Sequence, residues 1–292
     1  MDRHPPISTE VSSDRRSKLE AVLREHAPVA VALSGGVDSS LLLCEARRVL
    51  GDRAVAVTGV SPSLGGAELH LSREIAAWVG AELLEIDTRE LDNDAYRANA
   101  GDRCFHCKSE LYSRIQGHPR LAGYRVVDGT HAEDPAGDRP GMRAAADLGV
   151  VAPLRIAGFG KRDIRQLARD RGLPNWERPA RPCLASRVAV GTPVEGETLA
   201  DVEQFEAVLE RVGFRIYRAR IDRDEVIVEV GTHELARLTE GVPTANDDWR
   251  AELIELASGR GYRTVLFDPN GYGRPTAPTE RVPLATLLDE RR

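Results

Sequence analysis

The sequence predicts an α/β protein built on a parallel sheet, followed by a smaller α+β domain. Three observations carry this expectation. From Ala27 to about Pro182 short apolar runs alternate with helix-period segments. The helical period then lapses between Leu173 and Val194, a stretch carrying Pro174, Pro179, Pro182 and Pro193. Beyond it the pattern changes to one long amphipathic helix followed by strands. At roughly 150 residues per domain the 292 residues suit two domains. The expected boundaries are a tail over 1–14, a first domain over 15–194, a second over 195–285 and a tail over 286–292.

Taken in order, Val29–Leu33 is a compact apolar run and predicts a buried strand. Ser39–Leu50 follows as a helix that Gly51 stops, and Ala54–Val60 is the next strand, so strand, crossover and strand form one parallel unit. Glu68–Val79 has helical period, Glu82–Ile86 is extended, Lys108–Ile115 is helical, and Arg125–Val127 is a short strand running into Asp128-Gly129-Thr130. Gly141–Leu148 and Arg162–Arg171 add two helices. In the second domain Leu199–Val212 is an amphipathic helix; Phe214–Ile221, Glu225–Val230 and Arg263–Phe267 read as strands, His233–Leu238 and Asp248–Ser258 as helices. No internal repeat or low-complexity tract interrupts this order.

Composition narrows the function. With 41% hydrophobic and 29% charged residues the chain is of soluble globular type, and no apolar run approaches the roughly 20 residues that span a bilayer. The polar start, Met1–Asp14, has no apolar block behind a basic cap, so the expected compartment is the cytoplasm. A net charge of −6 weighs against a surface devoted to nucleic acid. Four cysteines in this length do not make a disulfide framework. Only Lys18, Lys108 and Lys161 are lysines, so a lysine within a motif stands out.

The most specific local signal is Ser34-Gly35-Gly36-Val37-Asp38-Ser39, between a buried strand and a helix. Two glycines let the backbone turn and approach a ligand, and the helix start offers unpaired N–H groups to an anion. The lysine of the kinase-type phosphate loop and the glycine spacing of dinucleotide sites are both missing. The motif resembles the pyrophosphate loop of the adenine nucleotide α-hydrolase superfamily, whose Rossmann-like domain cleaves ATP between its α- and β-phosphates. That resemblance implies ATP with Mg2+ at Ser34, Gly35, Gly36, Asp38, Ser39, Gly129, Thr130 and Lys161, with Asp38 and Lys161 in catalytic roles.

Arg103-Cys104-Phe105-His106-Cys107-Lys108 holds a CxxC, and Cys183 sits in Pro182-Cys183-Leu184-Ala185-Ser186-Arg187. A CxxC alone is ambiguous among zinc, redox and cluster chemistry. Cys44, following Leu41-Leu42-Leu43, reads as a buried small apolar side chain. Three thiolates without an evident fourth ligand suit an iron–sulfur cluster with one open iron.

In combination these motifs, with Arg139-Pro140-Gly141, Lys161 to Arg165, Gly213-Phe214, Arg218, Arg220, Glu229 and Gly271-Tyr272-Gly273-Arg274, resemble the LarE-type ATP-dependent sulfur transferases. Members thiolate the carboxylates of a pyridinium mononucleotide during nickel-pincer cofactor synthesis. The resemblance implies that Cys183 attacks the adenylated substrate. Some members have only this cysteine and surrender its sulfur; those with the CxxC resemble cluster enzymes, which implies a [4Fe-4S] cluster on Cys104, Cys107 and Cys183. Arg181 and Arg187 are candidates to favour the Cys183 thiolate. The implied substrate-binding residues are Ser186, Arg187, Arg218, Arg220, Glu229 and Arg274. Strand alternation puts Arg218 and Arg220 on one face, whereas Glu206 is expected as a surface glutamate. Gly273 before Arg274 and Pro275 after it depart from the family pattern. The implied partners are the nucleotide substrate, further copies of the chain and, transiently, other enzymes of the cofactor route, without membrane or nucleic acid. The alternatives are a tRNA-thiolating enzyme of the same superfamily and a nucleotide sensor without turnover.

Overall fold

The computed structural model describes residues 12–135, 139–240, 249–272 and 281–286. They form two units: 12–93 with 102–181, and 94–101 with 182 onward.

The first unit runs α1 (Ser13–Glu25), β1 (Val29–Ala32), α2 (Val37–Leu50), β2 (Ala54–Val60), α3 (Gly66–Val79) and β3 (Leu83–Asp87). After α4 (Asp94–Ala98), which belongs to the second unit, it resumes with α5 (Arg103–Gln116), β4 (Arg125–Val127), α6 (Pro140–Asp147), α7 (Pro153–Ile156) and α8 (Lys161–Asp170). The sheet order is β3-β2-β1-β4 and every pairing is parallel, with Val29 opposite both Ala54 and Arg125. This is the α/β class that the sequence predicts. The small β-branched and Ala residues of β1 and β2 suit a sheet covered on both faces. Val29 and Val31 pack with Leu23, Leu42 and Ile164 on one face, while Ala30 joins Val57, Tyr112 and Val126 on the other. Because β1 lies between β2 and β4, the turns leaving β1 and β4 meet where the strand order reverses, the place where α/β sheets bind ligands.

Two local findings go beyond the sequence reading. Ser13 and Asp14 open α1, where the side chain of Ser12 accepts from the Arg15 N–H and Leu19, Val22 and Leu23 bury one stripe; residues 1–11 and 287–292 of the expected tails lie outside the described residues. Helix α5 starts earlier than expected, at Arg103, and so carries both cysteines of the CxxC.

The second unit holds α4, α9 (Gly196–Arg211), β5 (Tyr217–Asp222), β6 (Glu225–Val230), α10 (Leu235–Glu240), α11 (Trp249–Gly259), β7 (Thr264–Phe267) and β8 (Val282–Pro283). Its sheet, β5-β6-β7-β8, is mixed: β6 and β7 pair parallel, the outer pairs antiparallel. The proline-bearing stretch from Pro182 belongs to this unit, so the units divide before the expected junction at 194. The reason is hydrogen bonding. Buried Asn99, at φ 52°, donates its amide to the carbonyls of Ala189 (2.7 Å), Thr192 (3.0 Å) and Val188 (3.4 Å), and the Ala189 N–H donates to Ile221 at 2.8 Å. Among the described residues no helix is long and apolar enough to cross a membrane.

Asn99→Asp would turn that donor into a carboxylate facing carbonyl oxygens. It should destabilise the protein by about 1–3 kcal/mol, read as a lower thermal midpoint; an unchanged midpoint would mean that the stretch is held by other contacts.

Candidate active site

At the end of β1 the Leu33 N–H donates to Val57 at 2.8 Å and Leu33 accepts from the Thr58 hydroxyl at 2.9 Å. The chain then turns at Gly35, where φ is 71° and an added Cβ would lie 3.2 Å from the Glu68 carbonyl oxygen and 3.3 Å from the Ser72 hydroxyl. Glycine is therefore required on two counts. Gly36 caps α2 with no side-chain acceptor, which leaves the N–H groups of the first turn to a ligand. Ser39 braces the loop from inside: its hydroxyl donates to Gly36 O (3.1 Å) and accepts from the Ser34 N–H (3.2 Å). Buried Asn175 fixes the outside by donating to Gly35 O at 2.8 Å and Ser40 Oγ at 2.9 Å.

The turn after β4 closes onto the same helix start. A Cβ on Gly129 would fall 2.8 Å from Ser39 N and 3.1 Å from the Asp38 carbonyl carbon. Beside it the buried Asp128 carboxylate accepts from the Tyr112 hydroxyl at 2.8 Å and the Thr130 N–H at 3.1 Å. Burial, and then the Asp128 charge, push the Tyr112 phenol far up, so it stays a protonated donor. Lys161, the first residue of α8, places Nζ 2.7 Å from both oxygens of Asp38. A Cβ on Gly160, just before it, would collide with the Glu133 carboxylate.

These parts border a cavity of about 570 Å3, lined by Ser34, Gly36, Asp38, Ser39, Asp128, Gly129 and Thr130 together with Cys104, Lys108 and Arg139. Of the sequence-expected nucleotide residues, Gly35 shapes the loop from behind the wall and Lys161 reaches it through Asp38. Donors, glycines and volume suit a nucleotide triphosphate. Lys108, Tyr112 and Asn175 were not among the expected site residues.

Among the described residues no cysteine forms a disulfide. Cys104 is exposed and Cys107 half-buried on the first turns of α5. Cys44 packs against the core, as expected, and burial, then Glu45, push its thiol up to about 11. Cys183 belongs to the second unit and the CxxC to the first. Among the described residues no three His, Cys, Asp or Glu side chains are gathered as a metal site.

Within the second unit Cys183 opens a short 3-10 turn, Leu184–Arg187. The buried Arg187 guanidinium holds that turn: Nε and Nη2 donate to the two Glu206 oxygens at 2.7 and 2.9 Å, while Nη1 reaches the carbonyls of Pro182 and Cys183 and the Ser186 hydroxyl. Glu206 is thus no surface residue. The expectation is corrected by its burial in this bidentate pair, which the amphipathic period of α9 conceals because a charged partner from another element replaces an apolar one.

Arg218 and Arg220 share a sheet face and both reach Ser186: Arg218 Nη1 lies 3.5 Å from its hydroxyl and Arg220 Nη1 3.4 Å from its carbonyl. Arg220 pairs with Glu229 at 2.6 Å, and the second Glu229 oxygen is buried without a hydrogen-bond partner among the described residues. Arg218 is buried, donates to the Tyr272 hydroxyl at 2.7 Å and lies 4.7 Å from the Tyr272 ring centre. Burial and the neighbouring Arg187 charge press its pKa down. Arg274 lies outside the described residues.

The chain is 31% identical, over 94% of its own length and 98% of the relative's, to pyridinium-3,5-bisthiocarboxylic acid mononucleotide synthase of Lactiplantibacillus plantarum. It belongs to the LarE-type ATP-dependent sulfur transferases. An uncharacterized protein of Synechocystis sp. is 36% identical over 83% of this chain and 88% of its own, and one of Methanocaldococcus jannaschii 25% identical over 82% and 88%. Residues 17–98, which include the phosphate loop, match the asparagine synthase family model, a likeness consistent with ATP use. In this LarE-type chain the loop, the Asp128–Thr130 turn and Lys161 converge on one cavity, while Ser186, Arg187, Arg218, Arg220 and Glu229 gather around the Cys183 turn.

Two outcomes test this geometry. Gly129→Ala should abolish binding of a non-hydrolysable ATP analogue, measured by calorimetry, and binding within twofold of the parent would remove the Gly129 contact from the site. A thiol of pKa about 11 is neutral below that pH, so at pH 8 roughly one Cys44 in a thousand is thiolate. Iodoacetamide should label Cys44 roughly two hundredfold more slowly than free cysteine at pH 8, with the rate rising about tenfold per pH step to pH 10.

Proposed function

We propose that this enzyme adenylates a carboxylate of a pyridinium-3,5-biscarboxylic acid mononucleotide in the first unit's cavity and installs sulfur there through Cys183, forming the thiocarboxylate of the nickel-pincer cofactor. The observation that carries the reading is Arg218. A buried guanidinium met, among the described residues, by neutral partners calls for an anion. With Arg220 on the same face and the Cys183 turn beside them, it suits the phosphate of a mononucleotide next to a nucleophilic thiol.

A carboxylate resists nucleophiles, and adenylation gives it a leaving group. One carboxylate oxygen attacks the α-phosphorus and the bond to the bridging oxygen breaks, releasing pyrophosphate. The N–H groups at the start of α2, with Lys161, stabilise the charge that collects on the leaving phosphates. Asp38, a hard oxygen ligand at the cavity wall, suits the Mg2+ that accompanies ATP. Sulfur delivered at Cys183 then attacks the acyl carbon and AMP departs; if the Cys183 thiolate itself attacks, the thioester yields the thiocarboxylate only when the Cβ–S bond breaks with loss of the Cα proton, leaving dehydroalanine. Arg187 keeps Cys183 in place by holding two carbonyls of its turn.

Three thiols outside disulfides, two of them three residues apart on α5, suit a [4Fe-4S] cluster as a donor set. Cys104, Cys107 and Cys183 would hold it, and its open iron would supply an exchangeable sulfide. In this reading the protein is cytoplasmic and homo-oligomeric.

Asp38→Ala should lower acceptor-dependent pyrophosphate release by roughly a hundredfold, whereas Cys183→Ser should retain release and lose the thiocarboxylate. Loss of both activities in Cys183→Ser would refute the division of labour. After turnover, mass spectrometry of the reconstituted protein should find the chain intact; loss of the mass of hydrogen sulfide at Cys183 would replace the cluster by a sacrificial cysteine.

A further inference from the structure

The proposed reaction leaves two cations of the cavity lining without a role, exposed Arg139 and partly buried Lys108. Lys108 lines the same cavity as the phosphate loop, one helical turn after Cys104, so the two side chains share a face of α5. The stem of Lys108 is fixed by α6. An added Cβ at Gly141 would lie 3.1 Å from its Cδ, 3.4 Å from its Cε and 3.7 Å from the Cβ of Cys104, so the α6 backbone fits the notch between these two residues.

Its charge is only loosely matched. Nζ stands 3.5 Å from Asp128 Oδ2, beyond a normal hydrogen bond. That oxygen already accepts from Tyr112 at 2.8 Å, and Nζ lies 5.9 Å from the Tyr112 ring centre. Lys161, by contrast, is held at 2.7 Å by both oxygens of Asp38. Two facts therefore coincide: an ammonium donor with capacity to spare, and a place in the lining of the cavity that would receive the nucleotide, next to Cys104 on α5 and beside Asp128. In a reaction that joins a carboxylate to the α-phosphorus, the carboxylate must approach the nucleotide within this cavity.

We infer that Lys108 binds the acceptor's reacting carboxylate, gripping one oxygen so that the other faces the α-phosphorus. This assignment rests on the adenylation reading above and adds to it the residue that selects an anionic acceptor. The O–P bond forms and pyrophosphate leaves without a proton moving, and the gripped oxygen becomes the acyl oxygen, still facing the ammonium when sulfur attacks.

The test compares the parent with Lys108→Met, Lys108→Arg and Gly141→Ser, each as the full chain. Three quantities are read: binding of a non-hydrolysable ATP analogue, equilibrium binding of pyridinium-3,5-biscarboxylic acid mononucleotide in the presence of that analogue, and pyrophosphate release against acceptor concentration. In Lys108→Met the acceptor KM and dissociation constant should rise about ten- to a hundredfold, with analogue binding within twofold. Lys108→Arg should recover part of the loss, and Gly141→Ser, which pushes the stem and keeps the charge, should weaken acceptor binding to a smaller degree. If Lys108→Met weakens the analogue as much as the acceptor, the lysine belongs to the nucleotide and the inference falls. An unchanged acceptor KM and dissociation constant overturns it as well. A parent that binds the acceptor but releases no pyrophosphate refutes adenylation, while the binding comparison still decides the role of Lys108; a parent that binds no acceptor refutes both.

Discussion

The backbone-to-backbone approach of Gly129 to the first turn of α2 is the constraint on which the first unit's chemistry rests. With only 2.8 Å between a Cβ at Gly129 and Ser39 N, the turn after β4 and the start of α2 meet backbone to backbone. Two consequences follow from that contact. The anion site is made of main-chain N–H groups aligned by a helix, which need no side chain to deliver them and no reorganisation when charge arrives. The carboxylates flanking it, Asp38 and Asp128, are each bound to a cation or donor already in place, so the cavity is not left dominated by negative charge. The parallel order β3-β2-β1-β4 makes this meeting inevitable, since the turns leaving β1 and β4 emerge side by side.

The second unit solves a different problem, that of holding a thiol on a turn with little regular structure. It does so with a buried ion pair. Removing the Arg187 and Glu206 charges from water is costly, and a well-packed apolar pair would be no less stable. An apolar residue at 187 would, however, leave the carbonyls of Pro182 and Cys183 without the donor that now fixes them. The pair therefore acts as a clamp whose value lies in the position of Cys183. It also explains why Arg187 and Arg218 differ although both are buried: a bidentate carboxylate neutralises the first, whereas a phenol and a hydroxyl meet the second.

How much of this was legible in the sequence depended on the range of the interaction. The loop from Ser34 to Ser39 was readable because glycine, strand end and helix start are neighbours in the chain. The shared face of Arg218 and Arg220 followed from strand alternation alone. Asn175 was not readable: its amide meets Gly35 and Ser40 across more than a hundred residues, and it lies in a stretch that reads as loop because prolines abolish its helical period. Glu206 misled for the same reason, since a glutamate on an amphipathic helix reads as exposed until the arginine from another element is known. Helix α1 is not among the expected elements, because its start is continuous with a polar tail, although Leu19, Val22 and Leu23 have helical spacing.

The division between arginine and lysine adds a last step. Arginine serves as this chain's structural cation, with forks that tie distant elements: Arg15 to Asp163, Arg171 to Glu45, Arg187 to Glu206. Lysine is rare, and of its three positions Lys18 pairs with Asp14 on the exposed face of α1 while the other two stand at the nucleotide cavity, Lys161 through Asp38. An ammonium is a compact point charge on a flexible stem and lacks the planar fork of a guanidinium. At Lys161 the compact head fits between the two oxygens of one carboxylate. At Lys108 the α6 backbone at Gly141 closes on the stem, leaving a narrow path to the wall that a wide planar group would have to share with Cys104. Arginine thus ties distant elements by its fork, and the two lysines at the cavity place a compact charge close to oxygen atoms.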